Sequence, residues 1–478
     1  MQYVRRLSSL ITLTCSLFLV DANASTIYYT DTYTQPQLSS LVVGLDGVGQ
    51  LSPSQHGTAY ANGVEAIPGS NDFLAIDRAG LVYQITATGQ KSVLLDVASL
   101  IGTGYTAAGG QKGLQYATPH PDFLDSQSSG YMKLYTTTTE TINPDQSASL
   151  FSLPSGLTSE HFDIVSEWDL SSATPTRSVM MVAESPYGDH NVRWLGFDSQ
   201  DDLYISFGDG GNTYWRSGDT VGEHGFGQDP TSPLGTILKV TPDGAGGYTV
   251  PSDNPHINDS GYLAEIYAMG FRNPQHCWFD DNDNLYCGDI GQRSAEEVNL
   301  VTAGGNYGWT QREGDYCVVA SDQNYVTDCG VDSNFIDPLF AYSHLNNLAG
   351  LENRAIGGVA VCDGCGIAAL EGFILATDLA AGTLFSYDPF TDTLYETLFM
   401  DMQTGLTGSY ADLAGLSRVE ARLGNCGDGT ICYSSRRDDN IFRLVSSVTA
   451  SVPAPSGWLL LLLGFLYLHM QPGRRTTN

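Results

Sequence analysis

Residues 265–309 read EIYAMGFRNPQHCWFDDNDNLYCGDIGQRSAEEVNLVTAGGNYGW. Phe279 to Tyr286 is a strand, a polar turn and a strand, because DDNDN consists of residues that tolerate unusual backbone angles. Cys277 and Cys287 stand symmetrically about that turn and so face each other across the predicted hairpin. Arg272 and Asn273 put a fixed charge and an amide ahead of a proline, a pair suited to holding an oxygen-rich anionic group. Gly304, Gly305, Asn306 and Gly308 allow a tight reversal that brings backbone close to a ligand or a neighbouring strand.

The frame of this hairpin recurs. FDSQDDLY at 197–204 and FDDNDNLY at 279–286 share Phe-Asp-x-x-Asp-x-Leu-Tyr. FLAIDRAGLVYQI from Phe73 and FILATDLAAGTLFSY from Phe373 form a looser pair, and CYSSRRDDNIFRL from Cys432 repeats the strand–turn–strand pattern. With 53 Gly, 26 Tyr and few runs of helical period, the composition is that of an all-β chain. Hairpins at this period predict propeller blades of about four antiparallel strands, and about 420 residues then make roughly six blades. Ring closure would hide the sheet edges that such a chain must otherwise protect. The expectation is an all-β, six-bladed β-propeller over residues 25–448.

The formal charge of −32 makes nucleic-acid backbones and anionic membrane surfaces poor partners. Of nine cysteines, Cys15 lies in the N-terminal apolar run, and the other eight fall into neighbours: Cys277/Cys287, Cys317/Cys329, Cys362/Cys365 and Cys426/Cys432. Even number and local pairing predict four disulfides formed in an oxidising compartment. The alternative for CDGC at 362–365 is a zinc site, although no second Cys or His pair stands at a suitable spacing.

Residues 1–24 read as a secretory signal, with Arg5 and Arg6, an apolar run from Leu10 to Val20, and small residues at Ala22 and Ala24. The tail, residues 449–478, holds an apolar stretch from Gly457 to Met470 followed by Arg474 and Arg475. As a helix that stretch reaches about 20 Å, short of a hydrocarbon core. The tail resembles the PEP-CTERM class of sorting tails, which implies sorting machinery as a partner; a short membrane anchor is the other reading. Both place the protein outside the cytoplasm, in the periplasm, at the cell surface or beyond it, with the basic end left inside.

Four stretches together resemble the soluble sugar dehydrogenases that use pyrroloquinoline quinone (PQQ), the glucose, aldose and sorbosone dehydrogenase family. They are GGQKGLQYATPHPDF from Gly109, DHNVRWLGFDSQDDLYISFGDGG from Asp189, LGTILKVTPDG from Leu234, and the run 265–309. The resemblance implies a six-bladed propeller that oxidises the C1 hydroxyl of an aldose, with an external electron acceptor. It implies His190 as the base, and Asp189 beside it is a carboxylate able to orient the ring or raise its basicity. His120 and His344 are other options, His120 reading as a turn residue. The resemblance further implies Gln111 as a substrate contact, Arg272 and Asn273 on the quinone oxygens, and calcium at Gly291 and Gln292, held largely by backbone oxygens. DDNDN at 280–284 lacks calcium-loop spacing and is read as a turn.

PQQ carries three carboxylates, which the family meets partly with a Lys and two Arg from its last blades. Here the Lys position falls in DLAAG at 378–382, and Arg418 in SRVEAR supplies one arginine. Arg354, Arg436 and Arg437 are further cations. The rival reading is a non-enzymatic surface propeller that binds glycans or proteins. Cations over the central channel separate the two.

Overall fold

The computed structural model describes residues 37–142, 148–211, 225–318, 326–328, 334–344 and 354–447. The expected signal segment and C-terminal tail lie outside the described residues. Within the described residues, no helix is long and apolar enough to cross a membrane.

The chain is a β-propeller. Ala61–Ala66, Phe73–Asp77, Leu81–Ile85 and Lys91–Asp96 form one antiparallel meander, and Pro274–Phe279, Leu285–Asp289, Ala295–Val301 and Phe340–Ser343 form another. The first strand of each meander is innermost. The inner strands Ala61–Ala66, Leu114–Pro119, Val192–Phe197, Pro274–Phe279, Ile356–Val361 and Ala421–Asn425 touch in that order, and the last touches the first. Closure is also made by the first described strand, Gln37–Gln50. It pairs antiparallel with the last, Asn440–Ser446, and parallel with Thr393–Asp401, so chain start and chain end share one sheet.

Burial falls from the axis outward, which explains the sequence pattern. FLAID at 73–77 and ILATD at 374–378 are buried throughout because neighbouring sheets cover both faces, so they read as continuous runs rather than alternations. The outer strand Lys91–Asp96 opens with three exposed residues. Asp77 and Asp378, matched in the looser sequence repeat, do the same job. Asp77 accepts the Tyr60 N–H at 3.0 Å and Asp378 the Ala355 N–H at 3.2 Å, each just before an inner strand.

The Phe-Asp-x-x-Asp-x-Leu-Tyr repeat is a repeated hairpin turn. Asp198 Oδ1 accepts the N–H of Gln200 and of Asp202, and Asp280 Oδ1 that of Asn282 and of Asn284, all at 2.9–3.0 Å. Asp201 and Asp283, equivalent in the frame, both take positive φ, 63° and 60°. DDNDN is therefore a turn closed by its own side chains.

Cys277 and Cys287 are directly paired across their strands and disulfide-bonded, with Cα atoms 4.1 Å apart. Cys426–Cys432 and Cys362–Cys365 are also disulfides, which removes the zinc reading of CDGC. Cys317 is disulfide-bonded too; its expected partner, Cys329, lies outside the described residues.

Candidate active site

The second residue of each inner strand lies at the axis: Asn62, Gln115, Arg193, Gln275, Gly357 and Arg422. Their side chains join hands with Gln111. Arg193 donates to Gln115 Oε1 and, at 2.6 Å, to Gln111 Oε1. Gln275 donates to the same Gln111 oxygen at 3.0 Å, and Arg422 donates to Gln275 Oε1 at 2.9 Å. Asn62 closes onto the Gln115 carbonyl at 2.7 Å. At Gly357 a Cβ would collide with the Ala421 carbonyl, so the ring tolerates only glycine there.

This ring is cationic and buried. Burial, with the neighbouring charges of Arg436 and Arg78, pulls Arg193 down to about 9. Burial pulls Arg436 down to about 10, and Arg422 also lies well below the usual guanidinium range through burial, Arg436 and Arg193. Among the described residues, Asn62 Oδ1, Arg193 Nε, Asn273 Oδ1 and Arg436 Nε are buried without a hydrogen-bond partner. The two unmet guanidinium donors, Arg193 Nε and Arg436 Nε, and the mutual repulsion of the guanidinium groups favour an oxygen-rich anion.

Beside the ring stands His190, buried and in the left-handed region at φ 55°. The turn that holds it needs Gly208, because a Cβ there would press within 2.5 Å of the His190 carbonyl. His190 Nδ1 lies 2.6 Å from Asp209 Oδ1. Asp209 also accepts the Gly211 N–H at 3.0 Å and, through Oδ2, the Trp309 indole N–H at 2.7 Å. A carboxylate receiving both N–H groups is an acceptor, so the proton of the histidine sits on Nδ1, and the Nε2 lone pair has no partner among the described residues. Burial and the Arg272 charge lower the His190 pKa below its ordinary value, keeping the ring neutral. Asp189, the chain neighbour expected to orient it, is exposed. The carboxylate bonded to the ring is Asp209 instead. The Asp189 charge still reaches His190, Arg193 and Arg272.

Arg272 donates to the carbonyls of Ile290 and Gly291 at 2.9 and 2.8 Å and to Gln292 Oε1 at 2.7 Å. Its guanidinium lies 5.4 Å from the centre of the Trp309 ring. The turn at 304–308 runs against a neighbouring strand, with Tyr307 N–H on the Met269 carbonyl and Trp309 N–H on the Gly270 carbonyl. Asp289 accepts the N–H groups of Arg272 and Asn273 at 2.8 and 2.6 Å. Glu313 Oε1 gathers the N–H groups of residues 292–295 at 2.7–3.2 Å and so shapes the loop that holds Arg272.

The structure thus brings Gln111, His190, Arg272, Asn273, Gly291 and Gln292 to one end of the axis. Arg418, by contrast, pairs with Glu420 at 3.0 Å, and its side chain is 41% exposed. Arg436 and Arg437 share that carboxylate, and Arg354 donates to the Ser343 carbonyl. His344 binds Glu296, and His120 Nδ1 accepts the Asp122 N–H within a turn. Sequence reasoning missed Asp209, Trp309, Arg193 and Arg422. Arg193 and Arg422 were visible only as charges interrupting apolar strand starts, and Asp209 only as the acid of GDGG.

Three comparisons bear on this arrangement. The HIPL2 protein of Arabidopsis thaliana is 34% identical over 173 residues, 33% of this chain and 24% of that protein, so the match spans about a quarter of the relative. The apo-form of the soluble aldose sugar dehydrogenase of Escherichia coli superposes with a TM-score of 0.60 at 19% identity, covering 85% of this chain and 100% of that one. The PQQ-bound aldose sugar dehydrogenase of Streptomyces coelicolor gives 0.56 at 20% identity, covering 86% and 99%. At those identities the two structures speak for the fold alone. The model of the glucose/sorbosone dehydrogenase family matches residues 59–400, and the chain belongs to that family.

Proposed function

We propose that this protein is an exported quinoprotein that oxidises the C1 hydroxyl of an aldose or related sugar, with PQQ as hydride acceptor. The observation that carries the reading is the buried arginine ring, whose Arg193 Nε has no partner among the described residues, beside a histidine whose Nε2 has none among them either. The ring supplies part of what a tricarboxylate needs: Arg193 and Arg422 would hold carboxylates, and Arg272 and Asn273 the quinone oxygens. When bound there, PQQ supplies an acceptor for the hydride leaving C1.

This chain's residues do the rest. His190 Nε2 takes the hydroxyl proton, and Asp209 holds the ring and steadies the imidazolium that forms. Trp309 fixes Asp209 from its other oxygen and lies under Arg272, so base and cation keep one spacing. Gln111 has its oxygen committed to Arg193 and Gln275, leaving its two N–H donors for a sugar hydroxyl. Proton and hydride leave together as the C1 hydroxyl becomes a carbonyl, and an external acceptor completes turnover.

Calcium at Gly291 and Gln292 is part of the same reading. The Gly291 carbonyl and Gln292 Oε1 are at present both given to Arg272, which a cation there would have to displace. The closed cycle of inner strands is read as six blades, with the sheet through Gln37–Gln50 counted as two. The proposal of export rests on the sequence pattern of residues 1–24 and of the tail.

The test is titration of the purified apo-protein with PQQ, with and without calcium, following quinone absorbance and aldose-dependent dye reduction. Absence of binding at high micromolar PQQ overturns the reading and leaves a surface propeller that binds glycans or proteins.

A further inference from the structure

The two ends of the axial channel differ in chemistry. The inner strands begin at the arginine ring; where they end, a cavity of about 470 Å³ opens at the opposite mouth. That is the size range of small-molecule sites, about 300–1,000 Å³. Its walls come from the strand ends: Glu65, Pro119, Phe197, Trp278, Phe279 and Asn425. Four acidic residues of the neighbouring turns, Asp198, Asp280, Asp281 and Asp283, stand at its rim. Among the residues that line it there is no lysine or arginine, and its one histidine, His276, is held neutral by burial and the Arg422 charge at about 3.

Glu65 is the carboxylate at depth. The Tyr116 hydroxyl donates to its Oε2 at 2.7 Å. The rim acids are differently employed: Asp198 and Asp280 close their own turns, and Asp283 binds Ser199. Trp194 lies across Gly196, where any side chain would strike the indole, so the sequence keeps room for an aromatic wall. A pocket with aromatic walls, one deep carboxylate and no basic residue repels anions. It also offers π faces and a counter-charge to a desolvated cation.

We infer that this far-end cavity binds a small organic ammonium ion, seated against Trp194 and Trp278 with its charge toward Glu65. Burial pushes the Glu65 pKa up to about 7, and an ammonium group beside it restores the ionised form. The site is separate from the His190 centre and does not depend on the cofactor reading.

The experiment is calorimetry and tryptophan fluorescence of the purified chain with choline, against its neutral isostere 3,3-dimethylbutan-1-ol. Saturable choline binding with a fluorescence change is expected, and the isostere should bind at least about tenfold more weakly. Glu65→Gln should lose about tenfold in choline affinity, and Asp281→Asn, at the rim, should lose less. Equal affinity for the isostere, no saturable choline binding, or an unchanged Glu65→Gln variant each overturns the proposal. If Glu65→Gln does not fold, the comparison of choline with its isostere on the wild-type protein decides alone.

Discussion

His190 and Asp209 are bonded through Nδ1 and Oδ1 at 2.6 Å, although nineteen residues separate them. The pair is made by a left-handed histidine at one turn and a GDGG turn that folds back on it. The carboxylate then faces the ring from below while the Trp309 indole fixes its second oxygen.

The first prediction separates the two candidate carboxylates. Asp209→Asn presents an amide N–H to Nδ1 and moves the proton to Nε2, removing the base. Turnover of the PQQ-loaded protein should fall by about 10²–10⁴-fold with its melting temperature little changed. Asp189→Asn should stay within about threefold, since that side chain is exposed. Equal losses in the two variants would return the orienting role to Asp189.

A second prediction concerns pH. His190 must be neutral to accept a proton, and burial with Arg272 lowers its pKa below the ordinary histidine value. The acid limb of kcat/KM should therefore lie below about 6.5, with activity retained as pH falls through that value and lost only further down. Replacing Arg272 by Gln removes the cation that disfavours imidazolium, so the limb should move to higher pH. A pH–rate profile of both proteins measures this; an acid limb above about 6.5 in the wild type would count against His190.

The third prediction compares two arginines four residues apart. Arg422 is buried on Gln275, whereas Arg418 points to Glu420 at the surface. Arg422→Gln should weaken PQQ binding by about 10–100-fold, taking ~1.5–3 kcal/mol for a charged hydrogen bond. Arg418→Gln should change it by no more than about twofold. Because the ring is buried, raising salt should weaken binding only modestly. Calorimetry of the three proteins at two salt concentrations tests both statements.

A fourth prediction is covalent. Peptide mapping without reductant should yield four local disulfides, including Cys317–Cys329. Replacing Cys277 and Cys287 by Ser should cost about 2–3 kcal/mol, read from guanidinium unfolding, because only a short loop is released.

Much of this was legible in the chain. The repeated Phe-Asp-x-x-Asp-x-Leu-Tyr frame specified hairpins because its aspartates satisfy the turn N–H groups locally. The cysteines of 277 and 287 stood opposite because a hairpin of period two leaves them no other register. Both depend on neighbours a few residues apart, which a sequence displays directly. Arg272, Asn273 and His190 were visible through the order of their motifs.

What the tertiary structure alone decided is the company these residues keep. Ring closure stacks the second residue of each inner strand at one level, so Arg193, Gln275 and Arg422 meet from points spread over nearly half the chain. No local pattern encodes that meeting, because each of them reads in its own segment as a polar residue at a strand start. The choice of Asp209 over Asp189 has the same origin. Adjacency in sequence says nothing about side-chain direction at a left-handed residue, and His190 takes φ 55° with the Gly208 backbone close against its carbonyl.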